Sequence, residues 1–221
     1  MLISHSHRFI YIHTGKTGGM SMREVLIPLC EEPEKFKIRR PAKTKDGKPN
    51  PLYTVWETLL LHPTVRDVRR ELPAEQFNTY FKFAFVRNPW DLQVSMYHFI
   101  LREPGATNHD IVKGLGSFEA FLDWVAETAV PFPKGITKLQ KDMLVDEDGK
   151  LLVDFIGHYE RLSADFAEVG RRLGFAAELP HLNKSKHKDY RDYYSERTQA
   201  LVGEVFRADI DMFGYQFDPS N

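Results

Sequence analysis

Between Tyr11 and Leu26 the chain reads YIHTGKTGGMSMREVL, which puts a lysine, two adjacent glycines and two hydroxyls where an apolar run gives way to a helical pattern. Residue types of this kind handle anions. A helix N-terminus offers unpaired N–H groups and the positive end of its dipole, and Gly18 and Gly19 let the main chain curl around an anion. Lys16 adds a point charge, while Thr17 and Ser21 add hydroxyl donors. The stretch therefore predicts a cradle for one phosphate, with a plain glycine turn carrying an exposed lysine as the equal alternative. It is not a nucleotide-hydrolase loop. Gly15-Lys16-Thr17 matches the end of the Walker A pattern, but the glycine required five residues before the Gly-Lys pair falls on Ile10.

Other chemistry-bearing residues lie far from this stretch. Arg87 closes the apolar run TYFKFAFVR, at the place where α/β sheets put their ligands. Ser95 falls two turns into the helical pattern that follows. An arginine can grip a phosphate with a fork of N–H donors, and a serine hydroxyl can complete the contact. Taken singly, a surface ion pair and a tolerated helix serine are the simpler readings. Nine histidines are present, so the useful ones must be chosen by place. His62 stands at the mouth of a loop before a helix that Thr64 can cap. His13 adjoins the cradle directly, although packing beneath the loop explains it equally well. Lys184, Ser185 and Lys186 belong to the basic segment HLNKSKHKDY, which can reach phosphates or stand as a solvated loop.

These residues need elements to hold them. RFIYIH (Arg8 to His13) and TYFKFAFVR (Thr79 to Arg87) have the apolar, β-rich character of buried strands. Ser21 and Glu24 have capping-box spacing, which predicts a helix from about Met22. VRDVRREL, WDLQVSMYHFILRE, SFEAFLDWVAETA, SADFAEVGRRLG and SERTQALVGEVFRAD read as further helices, and DEDGK as a hairpin turn. Trp90 reads as packing, and Pro33 to Pro51 as an irregular excursion or a hairpin. Strands alternating with helices imply an α/β sheet covered on both faces.

The chain has 221 residues, which sets the expectation of one domain over 1–221. With 30 basic against 31 acidic side chains the net charge is −1, so no nucleic-acid or anionic-membrane partner is expected and any anion site must be local. Cys30 is the only cysteine, which rules out an internal disulfide and a cysteine metal cluster. There is no signal-peptide pattern and no apolar run of membrane-spanning length, so the expectation is a soluble, cytoplasmic protein. Oligomeric state is not legible.

Two motifs in the expected order carry a family resemblance. FIYIHTGKTGGMS resembles the 5′-phosphosulfate loop of sulfotransferases that use 3′-phosphoadenosine 5′-phosphosulfate (PAPS), and FAFVRNPWDLQVSMY resembles their 3′-phosphate motif. LLLHPTVRDVRREL and the C-terminal run from LPHLNKSKHKDY to GYQF are similar to the carbohydrate, heparan- and chondroitin-type, branch. Gly15 and Met20 depart from the family's usual proline and threonine.

The resemblance implies a P-loop-like three-layer α/β sandwich with a mainly parallel sheet. It also implies PAPS as co-substrate, with adenosine 3′,5′-bisphosphate as product and no metal, and a carbohydrate or other hydroxyl-bearing acceptor. Gly15, Lys16, Thr17, Gly18, Gly19, Met20 and Ser21 would then bind the 5′ end, and Arg87 and Ser95 the 3′-phosphate. Lys184, Ser185 and Lys186 would belong to a closing loop. Lys16 and His62 would be catalytic, His62 as the base, with His13 and Glu57 in reserve. Pro33 to Pro51 and Glu103 to Lys141 are the expected acceptor-recognition segments. Competing readings are an ATP-dependent small-molecule kinase and a nucleotide-binding module without turnover.

Overall fold

The computed structural model describes residues 1–31, 62–133, 135–176, 178–180 and 188–218. Four strands form one mixed sheet in the order β1 (Leu2–Ser4), β2 (Phe9–Ile12), β3 (Phe81–Val86) and β4 (Phe155–His158). The β1 strand pairs antiparallel with β2, while β2–β3 and β3–β4 are parallel. Parallel neighbours need covered crossovers, and the helices supply them: α1 (Gly19–Leu26), α2 (Val65–Glu71) and α3 (Ala74–Thr79) lie between β2 and β3. Next come α4 (Pro89–Arg102), α5 (His109–Leu115) and α6 (Phe118–Glu127), which precede β4. The chain continues through α7 (Leu162–Leu173), α8 (Glu196–Val205) and α9 (Arg207–Phe213).

Alternation along the two central strands sorts the core into layers. Phe9, Tyr11, Phe83 and Phe85 pack with Met22 and Leu26 of α1 and Phe166 and Val169 of α7. The intervening Ile10, Ile12, Ala84 and Val86 pack on the opposite face with Val65, Val68, Phe77 and Phe213. Helices thus cover both faces of the sheet. A third cluster, built on Trp90, Met96, Ile100, Phe121, Val125 and Val202, joins α4, α6 and α8. Trp90 is a packing residue there, its indole N–H donating to the Gln199 carbonyl at 3.0 Å.

Several expectations shift. The first helix begins at Gly19 rather than near Met22, and Ser21 sits inside its first turn instead of capping it; the N-cap position is Gly18, left-handed at φ 78°. The segment from Ser195 to Asp209 forms two helices, because the backbone leaves helical geometry at Phe206 (φ −106°, ψ 17°) while that ring packs in the helical cluster. DEDGK does turn the chain, closing a single antiparallel bridge between Val145 and Leu151. The short β1 and the third parallel strand β4 are additions to the two strands expected. The segment Pro33 to Pro51, Glu57 and the residues Lys184, Ser185 and Lys186 lie outside the described residues.

Thr64 caps α2 as its sequence predicts. Its hydroxyl accepts from the Asp67 N–H at 3.2 Å, and the Asp67 carboxylate accepts from the Thr64 N–H at 2.8 Å. Since this reciprocal pair anchors the helix just after His62, Thr64→Ala is expected to lower stability by about 1 kcal/mol, read as an earlier midpoint in urea denaturation.

Candidate active site

The carboxyl ends of β2, β3 and β4 all open on one cleft of about 560 Å³, a size usual for small-molecule sites. Each strand delivers residues to it in the same way. His13, Gly15 and Lys16 follow β2, Arg87 follows β3, and Tyr159, Leu162 and Ser163 follow β4. Gly18, Gly19, Met20 and Ser21 add the start of α1, while Ser95, Phe99 and Arg102 line the cleft from α4.

The loop between β2 and α1 is tightly held. Lys16 is a left-handed non-glycine residue (φ 62°), a conformation that costs an ordinary side chain roughly 1–2 kcal/mol. Arg87 offsets that strain by donating from Nη1 to the Lys16 carbonyl at 3.1 Å. Beneath the loop, the Thr14 hydroxyl donates to the Phe85 carbonyl, and the Thr17 hydroxyl donates to the Thr14 carbonyl at 3.1 Å. Thr17 is fully buried and does not line the cleft. Its hydroxyl bonds Thr14 inside the loop instead of facing an anion, and it is Thr14 that ties the loop to β3, which corrects the expectation drawn from the residue type of Thr17. Met20, by contrast, is 63% exposed on the cleft wall.

Lys16 and Arg87 are the cations at the bottom of the site. The Lys16 ammonium rests over the Phe99 ring at 4.3 Å. Burial, helped by the neighbouring Arg87 and Arg102 charges, brings its pKa down to about 8. The Arg87 side chain is 3% exposed. Its Nε donates to Asp91 at 2.8 Å, and its guanidinium lies 4.0 Å from the centre of the Tyr159 ring.

The two histidines meet. His62 Nδ1 lies 2.7 Å from the His13 carbonyl, and the two rings are 4.5 Å apart. A carbonyl can only accept, so His62 carries its proton on Nδ1 and keeps a lone pair on Nε2. Burial lowers the His62 pKa to about 4, and burial with the His62 neighbour lowers that of His13 as well. Both rings are neutral at physiological pH. His13 is 8% exposed, its Nδ1 has no hydrogen-bond partner among the described residues, and its Nε2 edge fills the space that a Cβ on Gly19 would need. That is the placement of a residue packing under the loop. The neighbours of Lys16, His13 and Arg87 include no group of three metal-ligating side chains among the described residues.

The sequence model of the sulfotransferase family matches residues 1–216. This chain belongs to the sulfotransferase family. The match spans the cradle, His62, Arg87 and the strand that delivers Tyr159, so the cleft lies in the part of the chain that the family shares. An uncharacterized protein of Archaeoglobus fulgidus is 32% identical over 127 residues, covering 56% of this chain and 93% of that protein.

In this sulfotransferase, sequence reasoning brings Gly15, Lys16, Gly18, Gly19, Met20, Ser21, His62, Arg87 and Ser95 to one cleft, as the structure does. It missed Thr14, Asp91, Phe99 and Tyr159. A signal for Tyr159 exists: DFIGHY read as a third parallel strand puts it at a carboxyl end, like Lys16 and Arg87.

The start of α1 can be tested directly. A Cβ on Gly19 would run into the His13 ring, so Gly19→Ala should lower stability by about 1–3 kcal/mol. Adding His13→Ala should return part of that loss, a coupling visible in the melting temperatures of the four-variant cycle.

Proposed function

We propose that this enzyme transfers a sulfonate from PAPS to a hydroxyl of a carbohydrate-like acceptor, on a P-loop-like scaffold. One observation carries the reading. Two cationic anchors from separate motifs, Lys16 at the glycine cradle and Arg87 after β3, face one cleft and are tied together by the Arg87–Lys16 hydrogen bond. A nucleotide carrying two separate anionic groups, on the 3′ and 5′ oxygens of one ribose, suits two neighbouring cations of that kind. The fit is further supported by Gly18 and Gly19, where a side chain would meet Leu162 and His13, and by the open N-terminus of α1.

PAPS supplies an activated sulfonate on a good phosphate leaving group. The S–O bond to the 5′-phosphate breaks, a new S–O bond forms to the acceptor oxygen, and the hydroxyl proton must go to a base. Lys16 and the first N–H groups of α1 stabilise the charge that grows on the departing phosphate oxygen. Arg87 and Ser95 hold the 3′-phosphate and so orient the donor. His62 accepts the acceptor proton on Nε2, its ring oriented by the His13 carbonyl. A free-enzyme pKa near 4 makes a weak base; a bound polyanion beside the ring raises that pKa toward neutrality and strengthens it. The acceptor's carbohydrate character rests on the sequence resemblance of LLLHPTVRDVRREL and the C-terminal run, as does assignment of a closing loop to Lys184, Ser185 and Lys186. Mg-ATP chemistry has less support, because the Walker A glycine is replaced by Ile10, fully buried inside β2.

Calorimetric titration with adenosine 3′,5′-bisphosphate, beside AMP and ATP with magnesium, tests the donor. Tight binding of the bisphosphate alone is expected, and a preference for ATP with magnesium would overturn the reading. Affinity should also depend on pH. Lys16 binds anions when protonated, so bisphosphate affinity should hold from about pH 6 to pH 7 and weaken as pH rises through about 8. Lys16→Arg, which stays charged, should flatten that decline.

The base is tested by turnover. His62→Ala should lower kcat by roughly 100- to 10,000-fold while leaving bisphosphate affinity nearly unchanged. An equal effect on both would assign His62 to donor binding instead.

A further inference from the structure

Arg87 stands one residue beyond the sheet. The β3–β4 ladder ends at Val86 opposite His158, so the Arg87 N–H and carbonyl have no strand partner, although the residue is buried. Gln140 provides one. Its side-chain Oε1 accepts from the Arg87 N–H at 2.9 Å, and its Nε2 donates to the Arg87 carbonyl at 2.8 Å. A single side-chain amide thus repeats the pairing that a neighbouring strand would make.

Gln140 is itself held from the C-terminal end of the chain. It opens a short 3-10 turn, Gln140–Met143. The Gln140 N–H donates to Asp209 Oδ2 at 2.8 Å and the Lys141 N–H to Oδ1 at 2.9 Å. Asp209 lies on α9 and is fully buried. Next to Arg87, the Asn88 N–H donates to Glu160 at 2.7 Å, and the Asn88 side chain donates to the Gln216 carbonyl at 2.8 Å. Neither Gln140 nor Asp209 lines the cleft, and Arg87 is the lining residue that Gln140 bonds directly.

We infer that Gln140, braced by Asp209, is a positioning residue that fixes the backbone of Arg87 and thereby aims its guanidinium at the 3′-phosphate of the donor. The inference rests on the proposed donor reading. The guanidinium is set between Asp91, the Lys16 carbonyl and the Tyr159 ring. A small rotation at the Arg87 Cα would move it off all three at once. Two paired backbone groups block that rotation. Discrimination for the 3′-phosphate therefore depends on a residue that touches no ligand.

The readout is the ratio of affinities for adenosine 3′,5′-bisphosphate and AMP, measured by calorimetry on the full chain. Gln140→Met keeps the side-chain length and removes both hydrogen bonds. It should reduce the ratio on the order of tenfold, and in an Arg87→Met background it should change the ratio by less than about twofold. Asp209→Asn, which can accept only one of the two N–H donors, should shift the ratio in the same direction by less. It serves as the second variant if Gln140→Met does not fold. A purely structural role would lower the melting temperature and leave the ratio intact, and that result overturns the inference alone. A wild-type protein that binds AMP as tightly as the bisphosphate overturns the donor reading and the inference together.

Discussion

A buried guanidinium organises this molecule. Arg87 sits at the end of the central strand with almost no solvent contact, and a charge so placed is tolerable only when it is paired and hydrogen-bonded. Asp91 supplies the counter-charge one helical turn later, the Lys16 carbonyl takes a further N–H, and Tyr159 covers one face. These partners come from the start of α4, the loop after β2 and the turn after β4. Satisfying one charge thus brings together the three segments that form the cleft.

Strain and packing in the glycine loop follow from the same requirement. The left-handed Lys16 turns its carbonyl toward Arg87 and its ammonium toward Phe99. Thr14 and Thr17 spend their hydroxyls on the inner side of the loop, so the outer side is left to backbone N–H groups, lysine and glycine. His13 fills the space beneath Gly19, and its carbonyl orients His62. One strand-end residue therefore shapes the helix start through its ring and the neighbouring imidazole through its backbone.

Much of the fold was legible because burial has a simple period. Phe9 to Ile12 and, apart from Lys82, Phe81 to Val86 are apolar on both faces, as central parallel strands must be, and several helices carry clear caps such as Thr64 and Ser195. The start of α1 was not legible. Capping-box spacing at Ser21 and Glu24 competed with a glycine N-cap at Gly18, whose left-handed backbone and close approach to Leu162 are set by the fold. β4 was obscured because half-exposed Phe155 and Ile156 follow a turn and lack the continuous apolar run of the other parallel strands.

The sequence by itself determined which groups the loop after β2 carries, since a lysine, two adjacent glycines and two hydroxyls lie within a few residues of one another. It also determined that an arginine would follow the apolar strand that became β3. Tertiary structure decided which of these groups act together. Arg87 and the Lys16 carbonyl are 71 residues apart, His62 and the His13 carbonyl 49, and Gln140 and Arg87 53. No local pattern encodes such pairs. They arise because parallel strands with helical crossovers put their carboxyl ends side by side, so residues distant along the chain become neighbours at one edge of the sheet.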